Sequence, residues 1–357
     1  MNAQQVAIAL QAWAQENHLL QTDFPVVLDE NDVAKDALFD SLQISGMSES
    51  ILRKRVMTAI AFNDSINEVI VFTARATTLA EQKVLPKAIQ QKVSIRYVHG
   101  GVAQAGVPNN GGVQAPYFLL NGKYTCGSSI HPARVIGAGT LGCLVTDEAG
   151  QIFGLTNNHV SGMCNYSHQG EKILAPGHVD ITAGGMDPYT LGYHHSALPM
   201  TPGVPDNINI SANLDAALIM IADRDSVSSM QAGIYDTPSK CFELQPGQQV
   251  EKIGRTTGHR CGTVVGQMIG AYPVTYNVPG HGSQVTFFEP VMAVQGTDGN
   301  IFSEPGDSGS LVTTILNGER YAVGLLFAGD NQGLTYVLPL SRILTTFNVT
   351  LLSGHNI

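Results

Sequence analysis

The chain has 357 residues, of which 43% are hydrophobic and 13% charged, which is more than one compact core holds and enough for two or three folding units. A formal charge of −10 at pH 7 argues against nucleic acid or an anionic membrane as a partner, because both repel an acidic surface that carries no basic stripe. No apolar run approaches the roughly 18 residues of a membrane span, and the start MNAQQVAIALQAWAQENHLL lacks the basic opening and unbroken apolar segment of a secretory signal, so a cytoplasmic protein is expected.

In chain order, Val6, Leu10, Trp13 and Ala14 recur at helical spacing, and Asp32 is placed to cap a second helix through Leu38 and Leu42. The period then changes. RVMTAIAFNDSINEVIVFTAR predicts two strands joined at Asn63-Asp64-Ser65, TTLAEQKVLPKAIQQ a helix, and KVSIRYVHGG a third strand. Residues 1–100 therefore read as an N-terminal α+β module, with Arg53-Lys54-Arg55 at a solvated helix end. Residues 101–134 are dense in Gly, Pro, Asn and Ser and read as a linker with little regular structure.

Beyond the linker come short β-prone runs separated by glycine and proline turns: VIGAGTLGCLVT, QIFGLTNN, LDAALIMIA, QQVEKIG, CGTVVGQMIG, QVTFFEPVMA, SLVTTIL, RYAVGLLFAG and LTYVLPL. Without helical repeats between them they predict an all-β sandwich or barrels, not a parallel α/β sheet. SRILTTF reads as a closing helix. The five cysteines, Cys126, Cys143, Cys164, Cys241 and Cys261, are an odd and sparse set that favours reduced thiols. Cys143 and Cys164 bracket His159 and would be the pair to join if the chain were exported. No CxxC or HExxH spacing occurs, and the adjacent His194 and His195 cannot easily face one ion, so no metal is expected.

Three short motifs carry chemistry. FSEPGDSGSLV crowds glycine, proline and carboxylates around Ser308, whose hydroxyl is a poor nucleophile unless a base takes its proton and donors receive the oxyanion. In GLTNNHV, His159 follows a strand and a polar turn, where an imidazole can be held at a barrel rim. In NLDAALIMIA, Asp215 sits among residues that a strand would bury, which is costly for a carboxylate unless it is paired or accepts hydrogen bonds. Holding the Nδ1 proton of a histidine is one such compensation. Taken singly, a lone histidine or strand aspartate is more often structural than catalytic.

Together, TNNHV, NLDAAL and GDSGS follow the order His, Asp, Ser and resemble the trypsin-like serine peptidases of the chymotrypsin clan over about residues 135–345. TNNHV is similar to the histidine motif of the HtrA (Deg) proteases, while GDSGS with Asp307 is closer to trypsin-type enzymes. GTLGCLV, KIGRTTG, PGDSGSLV and AVGLLFAG also resemble a less characterised group of bacterial and plant trypsin-like proteins in which an N-terminal α+β segment precedes the peptidase. The resemblance implies a mainly β fold, a chymotrypsin-like double β-barrel preceded by a small α+β domain. Its peptidase domain would span 135–357, with barrel 1 over about 135–225 and barrel 2 over about 245–345.

The resemblance also implies roles: Ser308 as nucleophile, His159 as general base and then acid, Asp215 as the orienting carboxylate, and the Gly306 and Ser308 amides as oxyanion hole. No cofactor is required, and the partner is a protein or peptide substrate. The family's pocket-floor position falls on Phe302, beside Ser303, and the wall strand on Leu326, Phe327 and Ala328. None is acidic, so a small or apolar residue before the scissile bond is expected, unless Asp330 or Glu304 swings in. Arg134-Val135-Ile136-Gly137 resembles a zymogen cleavage site whose new amine would pair with Asp307; the alternative is an intact chain with Asp307 bonded internally. Arg255, His259 and Arg260 could touch substrate or simply form a polar hairpin tip. Narrow substrate choice, the N-terminal module or a homo-oligomer would restrain such an enzyme. The rival functions are a peptide-binding scaffold that cuts slowly or never, and an esterase using the same triad.

Overall fold

The computed structural model describes residues 2–21, 44–89, 92–106, 118–181 and 189–357. Helix Ala3–Glu16 opens on a capping box in which Asn2 Oδ1 accepts from Gln5 N at 3.0 Å and Gln5 Oε1 accepts from Asn2 N at 3.2 Å. It buries Val6, Leu10 and Ala14 against strands Met57–Asn63 and Glu68–Thr73, and Trp13 packs at the edge of this core. The helix expected after Asp32 lies outside the described residues. Helix Gly46–Arg55 ends in Arg53, Lys54 and Arg55, cations that suit the negative end of its dipole. The next helix is shorter than the sequence suggests. It runs over Leu79–Val84 and stops before Pro86, which disfavours helical backbone in the residue it follows, and Ala88–Ile89 instead pairs with strand Val93–His99.

The sheet of this module does not end with it. Ala61 pairs with Met268 and Phe62 with Gln267, joining Met57–Asn63 to strand Gly258–Met268. That strand belongs to a closed barrel of Gln249–Gly254, Gly258–Met268, Met292–Gly296, Leu334–Pro339, Glu319–Gly329 and Leu311–Leu316, the last pairing back to the first. Val264, Val294, Phe302, Val312, Val323 and Val337 are among the side chains that fill it. A second, open half-barrel is built mostly from strands that precede the closed one in the chain, ordered Thr350–Leu351, Cys143–Thr146, Ile152–Thr156, Ala217–Ile221, Tyr189–Ala197, Lys172–Ala175, Ser129–Pro132 and Gly139–Thr140, the first of these alone coming from beyond the closed barrel. The fold is thus mainly β, a chymotrypsin-like double β-barrel with a small α+β domain before it, as the resemblance implied. The closing helix, Leu340–Phe347, is where SRILTTF predicts it, and no helix among the described residues is long and apolar enough to cross a membrane.

The described parts of residues 101–134 hold more regular structure than the linker reading expects. Ala103–Ala105 enters the larger sheet, Ser129–Pro132 enters the half-barrel, and Lys123–Cys126 pairs in parallel with Val227–Gln231. Their partners lie far away in sequence, so no local periodicity announces them. QVTFFEPVMA, read as one run, divides at Pro290 into Gly282–Phe288 and Met292–Gly296. All five cysteines are free thiols, and Cys143 and Cys164 are both buried without a disulfide. Burial pushes the Cys126 thiol up to about 12 and Cys241 to about 11.

Two buried histidines set a pH limit on this fold. Burial pushes His131 and His194 each down to about 4. An unfolded imidazole takes up a proton below about 6.5, so between that value and the folded one the unfolded chain binds more protons. The stability present above that window is lost as pH falls through it, by about 2 kcal/mol per histidine on reaching about pH 5. Urea unfolding at about pH 7.5 and about pH 5 measures this. His194→Gln should flatten the slope, and an unchanged slope would refute the assignment.

Candidate active site

The two asparagines of TNNHV hold the histidine in place. Asn157 Nδ2 donates to Asp215 O at 2.6 Å, Asn158 Nδ2 to Leu198 O at 2.8 Å, and Asn158 Oδ1 accepts from Asn165 N at 3.1 Å. Between strand Ile152–Thr156 and the following loop, one turn of π-helix, Asn158–Gly162, carries His159 outward. Asp215 lies just before strand Ala217–Ile221 and is fully buried. Its carboxylate accepts from His159 N at 3.0 Å, His159 Nδ1 at 2.6 Å and Tyr276 OH at 2.9 Å. Three donors offset the cost of burying the charge. With Nδ1–H donating its hydrogen bond to Asp215, Nε2 of the neutral ring is left as the acceptor.

Ser308 sits in a tight loop anchored by its neighbour. Asp307 is fully buried and accepts from Lys252 Nζ at 2.9 Å, Thr257 Oγ1 at 2.7 Å, and the amides of Thr256 at 2.7 Å, Thr257 at 3.1 Å and Glu304 at 3.1 Å. Burial alone would push its pKa up; the Lys252 charge and the Thr257 hydroxyl outweigh that and hold it below the usual carboxylate range. The partner for Asp307 is therefore Lys252. Val135 N instead bonds Pro132 O at 3.3 Å, while Arg134 pairs with Glu171.

Gly306 has φ +102°, and a Cβ there would meet Thr256 Oγ1 at 2.4 Å, so the position needs glycine on both counts. The first barrel reaches across to this loop: Thr140 N donates to Ser308 O and Thr140 Oγ1 to Gly306 O, each at 2.8 Å. Both carbonyls are thereby fixed. Among the described residues, neither the Gly306 nor the Ser308 amide has a protein acceptor, and no hydrogen bond joins Ser308 to the His159 ring. Ser308 and His159 line one cavity, with His131, Met163, Tyr276 and Val278 around them.

Several residues singled out in the sequence lie elsewhere. Phe302 is fully buried inside the closed barrel with Leu326, Ser303 Oγ bonds Thr335 Oγ1 at 2.6 Å, and Phe327 and Ala328 pack into the main core. None of the five lines the cavity beside Ser308. Arg255 is buried, its Nε bonding Asp180 Oδ2 at 2.7 Å, and it ties the two barrels together behind the loop. His259 Nε2 bonds Glu251 at 2.5 Å. Glu251, His259 and Cys261 bring their polar atoms within 4.8 Å of one another on the barrel wall, but Glu251 is already paired with Arg320. Asp330 Oδ2 accepts from Gly101 N at 2.9 Å.

Tyr276, which no sequence motif marks, lies on the hairpin Tyr272–Val278 and Gly282–Phe288. Tyr272, Val274, Tyr276 and Val278 are all buried, an alternation that marks a half-buried strand; a tyrosine on the buried face of one needs a partner for its hydroxyl.

No family model matches the chain. It is 31% identical over 216 residues to Protein NARROW LEAF 1 of Oryza sativa subsp. japonica, a match covering 55% of this chain and 35% of that protein, so the chain spans about a third of the relative's length. Among the solved structures that resemble it are serine proteases. Thermobifida fusca Protease A aligns at 17% identity over 64% of this chain and 98% of that one, with a TM-score of 0.41. Nocardiopsis Protease aligns at 20% identity over 64% and 97%, with a TM-score of 0.40.

Proposed function

We propose that this chain is a serine endopeptidase acting through His159, Asp215 and Ser308. The observation that carries the reading is the buried Asp215 carboxylate holding the His159 ring, on the cavity that Ser308 also lines. Ser308 Oγ attacks the scissile carbonyl while His159 Nε2 takes its proton. The oxyanion is received by the Gly306 and Ser308 amides, and their lack of a protein acceptor among the described residues supports that role. His159 then gives the proton to the leaving amine, and water releases the acyl group by the reverse steps. No side chain in this sequence of steps needs a cofactor.

Tyr276 is a positioning residue in this scheme, fixing the far side of the Asp215 carboxylate. Removing one hydrogen bond to a charged group costs about 1.5 kcal/mol or more. Tyr276→Phe is therefore expected to lower kcat about tenfold with KM unchanged, whereas a merely packing role would leave kcat alone. Apolar cavity walls at Ala138, Met163, Val278 and Pro279 support preference for small or apolar residues. Five free thiols suit a reducing, cytoplasmic location.

The test is a fluorophosphonate probe with intact mass recorded. The full-length chain should gain one adduct, and Ser308→Ala and His159→Ala should gain none. A wild type that never labels would replace the peptidase with the peptide-binding scaffold, and a labelled protein that cuts esters but no peptide would make it an esterase.

A further inference from the structure

An extended piece of the chain itself runs into the cavity. Strand Ala103–Ala105 lies between two neighbours: Ala103, Gln104 and Ala105 pair in parallel with Val274, Thr275 and Tyr276, and Gln104 pairs antiparallel with Gly329 at the end of Glu319–Gly329. Ala105 and Gly106, at its leading end, line the same cavity as His159 and Ser308. Gly106 comes so close to the nucleophile loop that a Cβ on it would stand 2.7 Å from Pro305 Cγ, next to Gly306. Upstream, the backbone is pinned where Gly101 N meets Asp330 and where Thr58 Oγ1 donates to Gly100 O at 2.6 Å.

Remove this short strand, and two strand edges face each other across a slot that leads to Ser308. Such a slot takes an extended peptide by backbone pairing, with side chains read at alternate positions. Its present occupant offers small groups there: Ala103 is buried and Ala105 half-buried. We propose that Ala103–Gly106 is an internal strap that occupies the slot between Gly329 and Tyr272–Val278, the groove in which an extended peptide would pair, and holds the enzyme inhibited until displaced. The inhibitory half of this rests on the peptidase reading above. The class of ligand is an extended peptide with small side chains at the two alanine positions. Because the strap is tethered, it competes at an effective concentration of the order of millimolar, and a free substrate must exceed that or wait for release.

Gln104→Pro removes the amide at the centre of a strand with neighbours on both sides and should free the groove. The full-length variant is expected to take the fluorophosphonate probe about tenfold faster than wild type, as for a site open about a tenth of the time. Equal rates overturn the proposal. Should the proline variant fail to fold, a Gln104→Cys/Gly329→Cys protein is compared with itself, oxidised and reduced, beside oxidised wild type as control for the exposed Cys261. Oxidised protein should label about tenfold slower than reduced, and equal rates again overturn the strap. A readout free of catalysis uses the acetylated peptide Val-Ala-Gln-Ala-Gly, residues 102–106, titrated into Ser308→Ala proteins with and without Gln104→Pro. It should bind the loosened form about tenfold more tightly; equal affinity, or binding to neither, overturns the proposal. Selective binding with no labelling of any form would instead remove Ser308 as nucleophile and keep the strap.

Discussion

Ser308→Ala is expected to lower the peptide-hydrolysis rate by about a millionfold, His159→Ala by a similar factor, and the double variant by no more than either alone, since triad members act as a unit. Without Ser308 there is no acyl acceptor; without His159 the hydroxyl keeps its proton. What remains in either case is the field of the Gly306 and Ser308 amides and the binding of substrate, worth about a thousandfold over water. The check is the turnover of a peptide library by wild type and the three variants, with circular dichroism to show that each is folded. Ser308 is 7% exposed in a loop whose conformation is set by Asp307, Gly306 and Thr140, so losing its hydroxyl leaves the loop's hydrogen bonds in place. A fall of less than about a hundredfold would be too small for the loss of a nucleophile.

Lys252→Met is expected to cost about 3 kcal/mol of stability, near the low end for breaking a buried ion pair, because Asp307 keeps four other donors. Both side chains are at 0% exposure, so the abandoned carboxylate cannot turn to water. Activity should fall with stability, since Asp307 directly precedes Ser308, the proposed nucleophile. Adding Asp307→Asn removes the orphaned charge and should restore more than half of the loss in urea unfolding. A single variant as stable as wild type would mean that the pair is not what holds this loop.

The barrels and the triad candidates were legible because their signals are local. TNNHV, NLDAAL and GDSGS each declare a polar residue in an apolar or glycine-rich setting, and the structure brings His159 and Asp215 into contact and puts Ser308 on the same cavity. The walls of the cavity beside Ser308 were not legible. Phe302 and Leu326 turn into the barrel and the cavity is walled instead by a hairpin inserted between two barrel strands, whose contribution depends on packing across the molecule. Tyr276 was hidden for the same reason, its partner Asp215 being 61 residues away. Lys252 reads as a surface cation in QQVEKIG, and nothing local says that it is buried. Strand Ala103–Ala105 reads as linker in sequence because Ala-Gln-Ala has little strand propensity of its own; its neighbours supply the pairing.

The sheet that runs from the N-terminal module into the closed barrel has one more consequence. Ala61 and Phe62 pair with Met268 and Gln267, Ile269 N donates to Ile60 O at 2.9 Å, and Asn63 Nδ2 caps Val265 O at 3.1 Å. Cutting the chain near residue 100 would strip these partners from Gly258–Met268 and bare an edge, the part of a sheet that recruits other chains. A truncated protein that clumps or loses activity would thus report a torn sheet, not a missing regulator. Residues 1–100 are better dissected by single substitutions on their outer face than by deletion.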